Sequence, residues 1–350
     1  MEPTPGQEMN PDFTSASETN AIPMVVEQVP VPPRYRKEEN SSNVWLKSIM
    51  SLALYLIIGY YIFPSYKTLL LITAIVMIHE LGHFFAMKLF RYADLGIFFI
   101  PLLGAYVSGS KREMSQRESA IILLSGPVPG MLIGILFYYL HLHTPYPQAF
   151  LFGLPYEYIS FWFILLNLFN LLPVYPLDGG QLLNRVFLDE ESLIGKVFVY
   201  LSTAAMIWFA WRLYSQTGHP VYFIFLIFPL SMILRMSGDA RLRAVEKKIE
   251  AEGIDMDKSY EELSDEDYWR IRNILIEHYP PFREVLTSPP YEYHEKEERI
   301  MQTIQSLLHR HLIQDVNIAG KVLIFLIWAA AIASPWLLHL NMSFFSRFGF

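Results

Sequence analysis

The sequence predicts an all-α, multi-pass membrane protein of about six to seven transmembrane helices, with a re-entrant hairpin and a small helical cytoplasmic unit. Three observations predict it. Hydrophobic residues make up 53% of the chain and charged residues 17%, against roughly 45–50% and 25% in soluble domains. The apolar excess is gathered in runs of about 20 residues, the length a helix needs to cross the hydrocarbon core. Lys and Arg lie between those runs with a strong bias: of 27, only Lys67, Arg212 and Arg347 fall at the ends facing one side. Basic residues favour the cytoplasmic side, so the N-terminus is expected inside and the C-terminus outside.

Residues 1–43 begin acidic and rich in Pro and Ser. They lack the basic start and apolar core of a secretory signal and read as a disordered cytoplasmic tail. The membrane core is expected over residues 44–236. Its first span covers 44–63 and stops at Pro64. The second covers 66–90, the third 119–141, the fourth about 150–174, the fifth about 193–214, and a short sixth 221–236. Residues 94–110 are apolar but broken by Gly96, Pro101, Gly104 and Gly109. Such a segment suits a re-entrant or interfacial hairpin, because irregular backbone at membrane depth survives only where it is covered or lines a cavity. Residues 237–320 are charged and helix-like, a cytoplasmic helical domain. Residues 321–350 supply a seventh span, 321–340, and a short tail.

The second span carries the chemistry. His79-Glu80-Leu81-Gly82-His83 sits among nearly continuous apolar residues. Two His at i and i+4 lie about 40° apart on one helical face. That spacing suits two imidazoles on one zinc, with the intervening Glu placed to act on a metal-bound water. The bland reading is polar residues that hydrogen-bond between helices. An ionisable cluster costs several kcal/mol in a bilayer unless partnered, so a functional site is the stronger reading. The chain has no Cys, which excludes disulfides and thiolate ligands and leaves His, Asp and Glu to hold any metal. A catalytic zinc commonly takes three protein ligands. The third is sought in Asn167-Leu-Phe-Asn170-Leu-Leu-Pro173-Val-Tyr-Pro176-Leu177-Asp178-Gly179-Gly180. Asp178 falls at the cytoplasmic end of the fourth span, on the same side as His79 and His83. The prolines break the helix there, and the glycines allow close backbone approach. The competing reading of Asp178 is a cap for a short helix starting near Gln181.

These two motifs, in this order and topology, resemble the site-2 protease family of intramembrane zinc metalloproteases, over about 130 residues from the second span to Gly180. The resemblance implies one zinc per chain on His79, His83 and Asp178, with Glu80 as general base. It implies a transmembrane protein substrate cut near the cytoplasmic side, in a multi-pass protein of a bacterial inner membrane. It also touches Gly126-Pro127, where Gly130 stands in place of a frequent Asn. Asn170 has two readings, a hydrogen bond to the substrate backbone or oxyanion, or a polar helix contact. Asn167 reads as structural. The hairpin could offer an edge for an extended substrate. Gly126, Gly130 and Gly134 recur on one face and favour packing against the catalytic span over homodimerisation. The cytoplasmic domain either recruits a regulator or is a solvated appendage. Net charge of −7 gives no sign of a nucleic-acid partner. Two other functions compete. An inactive relative that binds membrane partners is disfavoured by the intact Glu80. A metal transporter is disfavoured by apolar outer halves in the second and fourth spans.

Overall fold

The computed structural model describes residues 31–36, 44–63, 65–101, 104–111, 114–145, 150–189, 192–218, 222–223, 226–308 and 313–338. The chain is mostly helical. Five helices among the described residues have the length and apolar composition to cross a membrane: α1 (Val44–Ile62), α2 (Tyr66–Leu89), the joined pair α3 (Gln116–Ser125) and α4 (Pro127–His143), α7 (Leu193–Thr217) and α11 (Ile318–Leu337). The fourth expected span contains α5 (Tyr156–Asn170), only 15 residues long. The sixth continues without a break into the charged segment as α8 (Ile227–Ala251).

Local signals set the helix ends. Ser115 opens α3 by accepting from the Glu118 amide at 3.1 Å, and Ser192 opens α7 by accepting from Gly195 at 2.9 Å. Asn317 does the same for α11 with Gly320 at 2.8 Å. Each side-chain oxygen satisfies an amide that has no partner inside its helix. Gly218 ends α7 in the left-handed conformation, φ 68°, which glycine adopts without a Cβ penalty.

The segment expected as an all-helical protein's hairpin is a two-stranded antiparallel sheet, β1 (Ala93–Ile100) and β2 (Gly104–Ser110). Alternating Ile97 and Phe99 point inward, where they pack with Tyr55, Leu69 and Phe84 from α1 and α2. A second small hairpin, β3 (Phe150–Leu151) with β4 (Leu154–Pro155), precedes α5. Strand pairing satisfies backbone groups that the broken sequence cannot satisfy in a helix. The all-α expectation is therefore corrected at these residues.

Burial separates the helices by role. Within their most apolar windows, α2 is 44% buried and α11 only 11%. α2 is central, while α1, α7 and α11 present apolar side chains outward, as helices facing lipid do. The glycine stripe serves close packing within the chain. A Cβ on Gly134 would lie 2.7 Å from Ile164 on α5, and one on Gly130 would lie 2.2 Å from Asn167. Of the three, only Gly126 faces α2, against His83, so most of the stripe packs on α5 instead.

The charged segment forms a helical unit. The end of α8, α9 (Asp265–His278) and α10 (Glu297–Leu308) enclose a core that includes Val245, Ile249, Ile271, Leu275, Ile300 and Ile304. At its centre Arg272 donates to both oxygens of Glu297 at 2.7 and 3.0 Å, and Tyr268 donates to the same carboxylate at 2.5 Å. Residues 1–30 and 37–43 of the expected tail lie outside the described residues. Residues 31–36, outside any helix or strand, are held against this unit.

Candidate metal centre

The site forms where three chain breaks meet the middle of α2. His79 and His83 lie one turn apart on its buried face, with side chains 8% and 11% exposed. Glu80 is 6% exposed. The first break is at Gly126-Pro127. It ends α3, and the carbonyl of Ile122, in the last turn, accepts from the Ser125 hydroxyl of the same helix at 2.7 Å. His83 Nδ1 donates to the same carbonyl at 2.7 Å. Gly126 is required here, because a Cβ would stand 2.3 Å from His83 Nε2. Gly82 is required next to it, with its missing Cβ 1.9 Å from the Ser125 carbonyl oxygen.

The second break follows α5. Helix formation ends at Asn170, and the loop through Pro173 and Pro176 delivers Asp178 to the first position of α6 (Asp178–Leu182). A Cβ on Gly179 would lie 2.0 Å from Leu171 O, and one on Gly180 would lie 2.2 Å from the Val174 carbonyl carbon. Only two glycines permit the loop to fold back on the helix this closely. The cap position of α6 is Leu177, so Asp178 is its first helical residue and not its cap. Its Oδ2 lies 3.0 Å from His79 Nε2 and 3.4 Å from His83 Nε2. The third break, the β1–β2 turn, lets the hairpin return along α2.

The donor set fits a zinc ion on three grounds. The two Nε2 atoms lie 3.1 Å apart. With the two carboxylate separations, all three spacings are close to the edge of about 3.3 Å expected between tetrahedral ligands at 2.0–2.1 Å. Asp178 Oδ2 is buried with no hydrogen-bond partner, and it faces the two Nε2 atoms. Both Nδ1 atoms face oxygen acceptors, which fixes the tautomers so that both Nε2 lone pairs point inward. For His79 the acceptor is Asn167 Oδ1 at 2.9 Å. Asn167 Nδ2 donates to Phe163 O at 2.7 Å, which orients the amide.

Asn167 is the residue that sequence reasoning undervalued. A polar side chain in an apolar span needs a partner, but nothing in the spacing says that the partner is His79. Asn170 donates to Leu166 O of its own helix at 3.2 Å. Among the described residues, no other histidine joins the cluster. His143 bonds Tyr139 O, and His141 lies 4.0 Å from Glu157. His219, His309, His311 and His339 lie outside the described residues.

The hairpin passes Glu80. Phe99 N–H on β1 points away from β2, donating to Ser51 Oγ of α1 at 3.1 Å. Residues two apart share an edge, so Ile97 also turns its amide outward, and its partner Val107 faces the far edge of β2. The Val107 backbone lies near Glu80 on that side. On the other side, Trp328 of α11 donates to Leu171 O at 2.9 Å and seals the Asp178 loop against a cluster with Leu182 and Val186.

Residues 67–156 match the model of Peptidase family M50. The chain is 28% identical over 127 residues to the stage IV sporulation protein FB of Bacillus subtilis, covering 35% of this chain and 40% of that protein. It is 27% identical over 156 residues to a zinc metalloprotease of Methanocaldococcus jannaschii, covering 44% of this chain and 40% of that one. The chain thus spans about two-fifths of the length of these curated relatives. A solved site-2 protease from Methanocaldococcus jannaschii aligns at 19% identity with a TM-score of 0.39, over 53% of this chain and 84% of that one. The resemblance read from the two motifs is borne out by the family match and by the named relatives.

Proposed function

We propose that this protein is an intramembrane zinc metalloendopeptidase that hydrolyses a peptide bond in or near a transmembrane segment of a membrane-protein substrate. One observation carries the reading: His79 Nε2, His83 Nε2 and Asp178 Oδ2 converge beside a buried Glu80. These three side chains would hold one zinc ion. Bound zinc supplies Lewis acidity, which polarises the scissile carbonyl and acidifies a water toward neutral pH. Glu80 would serve as the general base, accepting a proton from the attacking water and returning it to the leaving amine. Its place between the two His on α2 keeps it beside the reacting carbonyl.

A substrate helix keeps its amides in its own ladder, so it must open before it is cut. The outer edge of β2, with the Val107 backbone near Glu80, offers backbone partners to an extended segment at that place. Asn170 is the remaining candidate for a substrate hydrogen bond. Its amide would leave the Leu166 carbonyl to make it. The basic residues orient the site toward the cytoplasm of a bacterial cell membrane, with the N-terminus on the same side.

Zinc content and cleavage of a transmembrane reporter, measured on the same detergent-purified variants, test the proposal. Wild type and Glu80→Gln should each hold about one zinc, and Asp178→Ala should lose it. Wild type alone should cleave. Cleavage surviving in Glu80→Gln would sink the mechanism, and unchanged zinc in Asp178→Ala would remove Asp178 from the ligand set. A transporter would move metal across vesicles in the Glu80→Gln background. An inactive binding protein would leave every reporter intact.

A further inference from the structure

The helical unit carries a built peptide site that metal chemistry does not use. Residues 31–36, Val-Pro-Pro-Arg-Tyr-Arg, lie across it outside any helix or strand, and the two prolines bias this stretch toward extended backbone. The carbonyl of Pro32 accepts from Trp269 Nε1 at 2.9 Å, that of Pro33 from the Tyr293 hydroxyl, and that of Tyr35 from the Tyr260 hydroxyl at 2.6 Å. Three aromatic side chains thus read the backbone through their polar tips, as grooves that bind proline helices do. The rings are fixed. Trp269 stacks on Tyr293, with planes 18° apart, and Arg272 lies 4.8 Å from the Trp269 ring centroid on the core side. Tyr35 packs edge-on against Tyr293.

One position is read by charge. The Arg34 guanidinium donates to Leu263 O at 2.5 Å and Glu261 O at 2.8 Å, and lies 3.8 Å from Asp265. Its amide donates to Asp265 Oδ1 at 2.8 Å. The side chain is 14% exposed, although it belongs to a segment with no regular structure. Two carbonyls and a carboxylate at the start of α9 form a cup that a lysine, with no planar fork, would fill poorly. Burial raises the Tyr260 hydroxyl well above its ordinary range, so it stays a donor at neutral pH.

We infer that the helical unit is a recognition module for extended Pro-Pro-Arg peptides, filled in cis by residues 31–36 of the same chain. Three aromatic donors aimed at backbone carbonyls within four residues, plus an arginine cup, are more than core packing needs. Residues 37–43 alone separate the bound segment from α1. So short a linker gives an effective concentration of order millimolar, and the cis segment holds the site against ordinary competitors. The segment thereby ties the first span to the helical unit.

The test uses a fluorescein-labelled synthetic peptide of residues 28–38 and the detergent-purified chain. Full-length protein should bind it weakly, because the site is filled. A chain lacking residues 1–36 should bind at least tenfold more tightly, and a full-length Arg34→Glu chain should gain binding in the same direction without any truncation. In the truncated chain, Trp269→Phe keeps the ring but loses the donor, and should weaken binding about fivefold or more. A peptide carrying Arg34→Ala should bind at least tenfold more weakly. The inference is overturned if neither the truncated nor the Arg34→Glu chain binds the unaltered peptide. Equal binding by full-length and truncated chains overturns occupancy in cis. Equal binding of the altered and unaltered peptides overturns the arginine cup.

Discussion

Asn167→Leu tests the idea that a single amide in the next helix sets the zinc affinity of the centre. Leu has the same branched, four-heavy-atom side chain and is apolar but bulkier, so a folding control must accompany the affinity measurement. The variant loses the Oδ1 that accepts from His79 Nδ1 at 2.9 Å, at a site where Asn167 is 1% exposed. No water can replace it. Losing such an outer partner of a ligating imidazole typically lowers metal affinity about 10–100-fold, which is about 1.4–2.7 kcal/mol. The mechanism is rotational: without the acceptor, the ring no longer holds Nε2 toward Asp178. The assay is a competition titration against a fluorescent zinc chelator, with thermal unfolding of the same samples as the control for folding. Asn167→Asp keeps an oxygen for the Nδ1–H and should recover most of the affinity. Gly130→Ala attacks the same bond from the opposite side, since its Cβ would stand 2.2 Å from Asn167 Nδ2, and should shift affinity in the same direction. A folded Asn167→Leu protein with zinc affinity within about threefold of wild type would refute the reasoning.

Three further outcomes follow from the packing. Gly179→Ala forces a Cβ to within 2.0 Å of Leu171 O; since backbone must move, it should cost roughly 1–3 kcal/mol or more, lower the unfolding temperature and release zinc. Trp328→Phe leaves the Leu171 carbonyl, buried under α11, without its 2.9 Å donor; a loss of about 1–3 kcal/mol should appear in thermal unfolding, while a zinc centre as stable as wild type to chelator would show that α11 does not support the Asp178 loop. Arg272→Met strands the Glu297 carboxylate, which is 2% exposed, and removal of one partner of a buried pair costs about 3–5 kcal/mol; hydrogen exchange should rise across α9 and α10 with zinc content unchanged, and exchange at wild-type rates would show that the pair carries little stability.

The legible parts of this protein are those where residue type and spacing meet a strong physical constraint. A bilayer demands about 20 apolar residues per helix, so α1, α2, α7 and α11 can be placed from composition alone. It also penalises unpartnered ionisable groups, so His79, Glu80 and His83 stand out in α2. Proline and glycine around Asp178 announce a broken helix end, although they leave open whether its carboxylate caps α6 or faces the histidines. The structure places it 3.0 Å from His79. The hairpin at residues 94–110 was legible as a break but not as paired strands, because Gly and Pro interruptions show where a helix fails and not what replaces it.

The amino-acid sequence by itself determined the five long apolar helices, the ligand-type residues and the resemblance those residues carry, because each depends on chain-local chemistry. Tertiary structure alone decided which outer groups hold the imidazoles, which strand edge passes Glu80, and where residues 31–36 lie. Asn167 and Asn170 are both amides in the same apolar helix, three residues apart, and only the packing of α5 against α2 and α4 turns one of them toward His79. The carbonyl of Ile122 and the amide of Val107 are backbone groups, identical in every residue, so side-chain identity cannot mark them. The Pro-Pro-Arg segment finds its cup more than 220 residues away in the chain, a separation across which no local periodicity carries information.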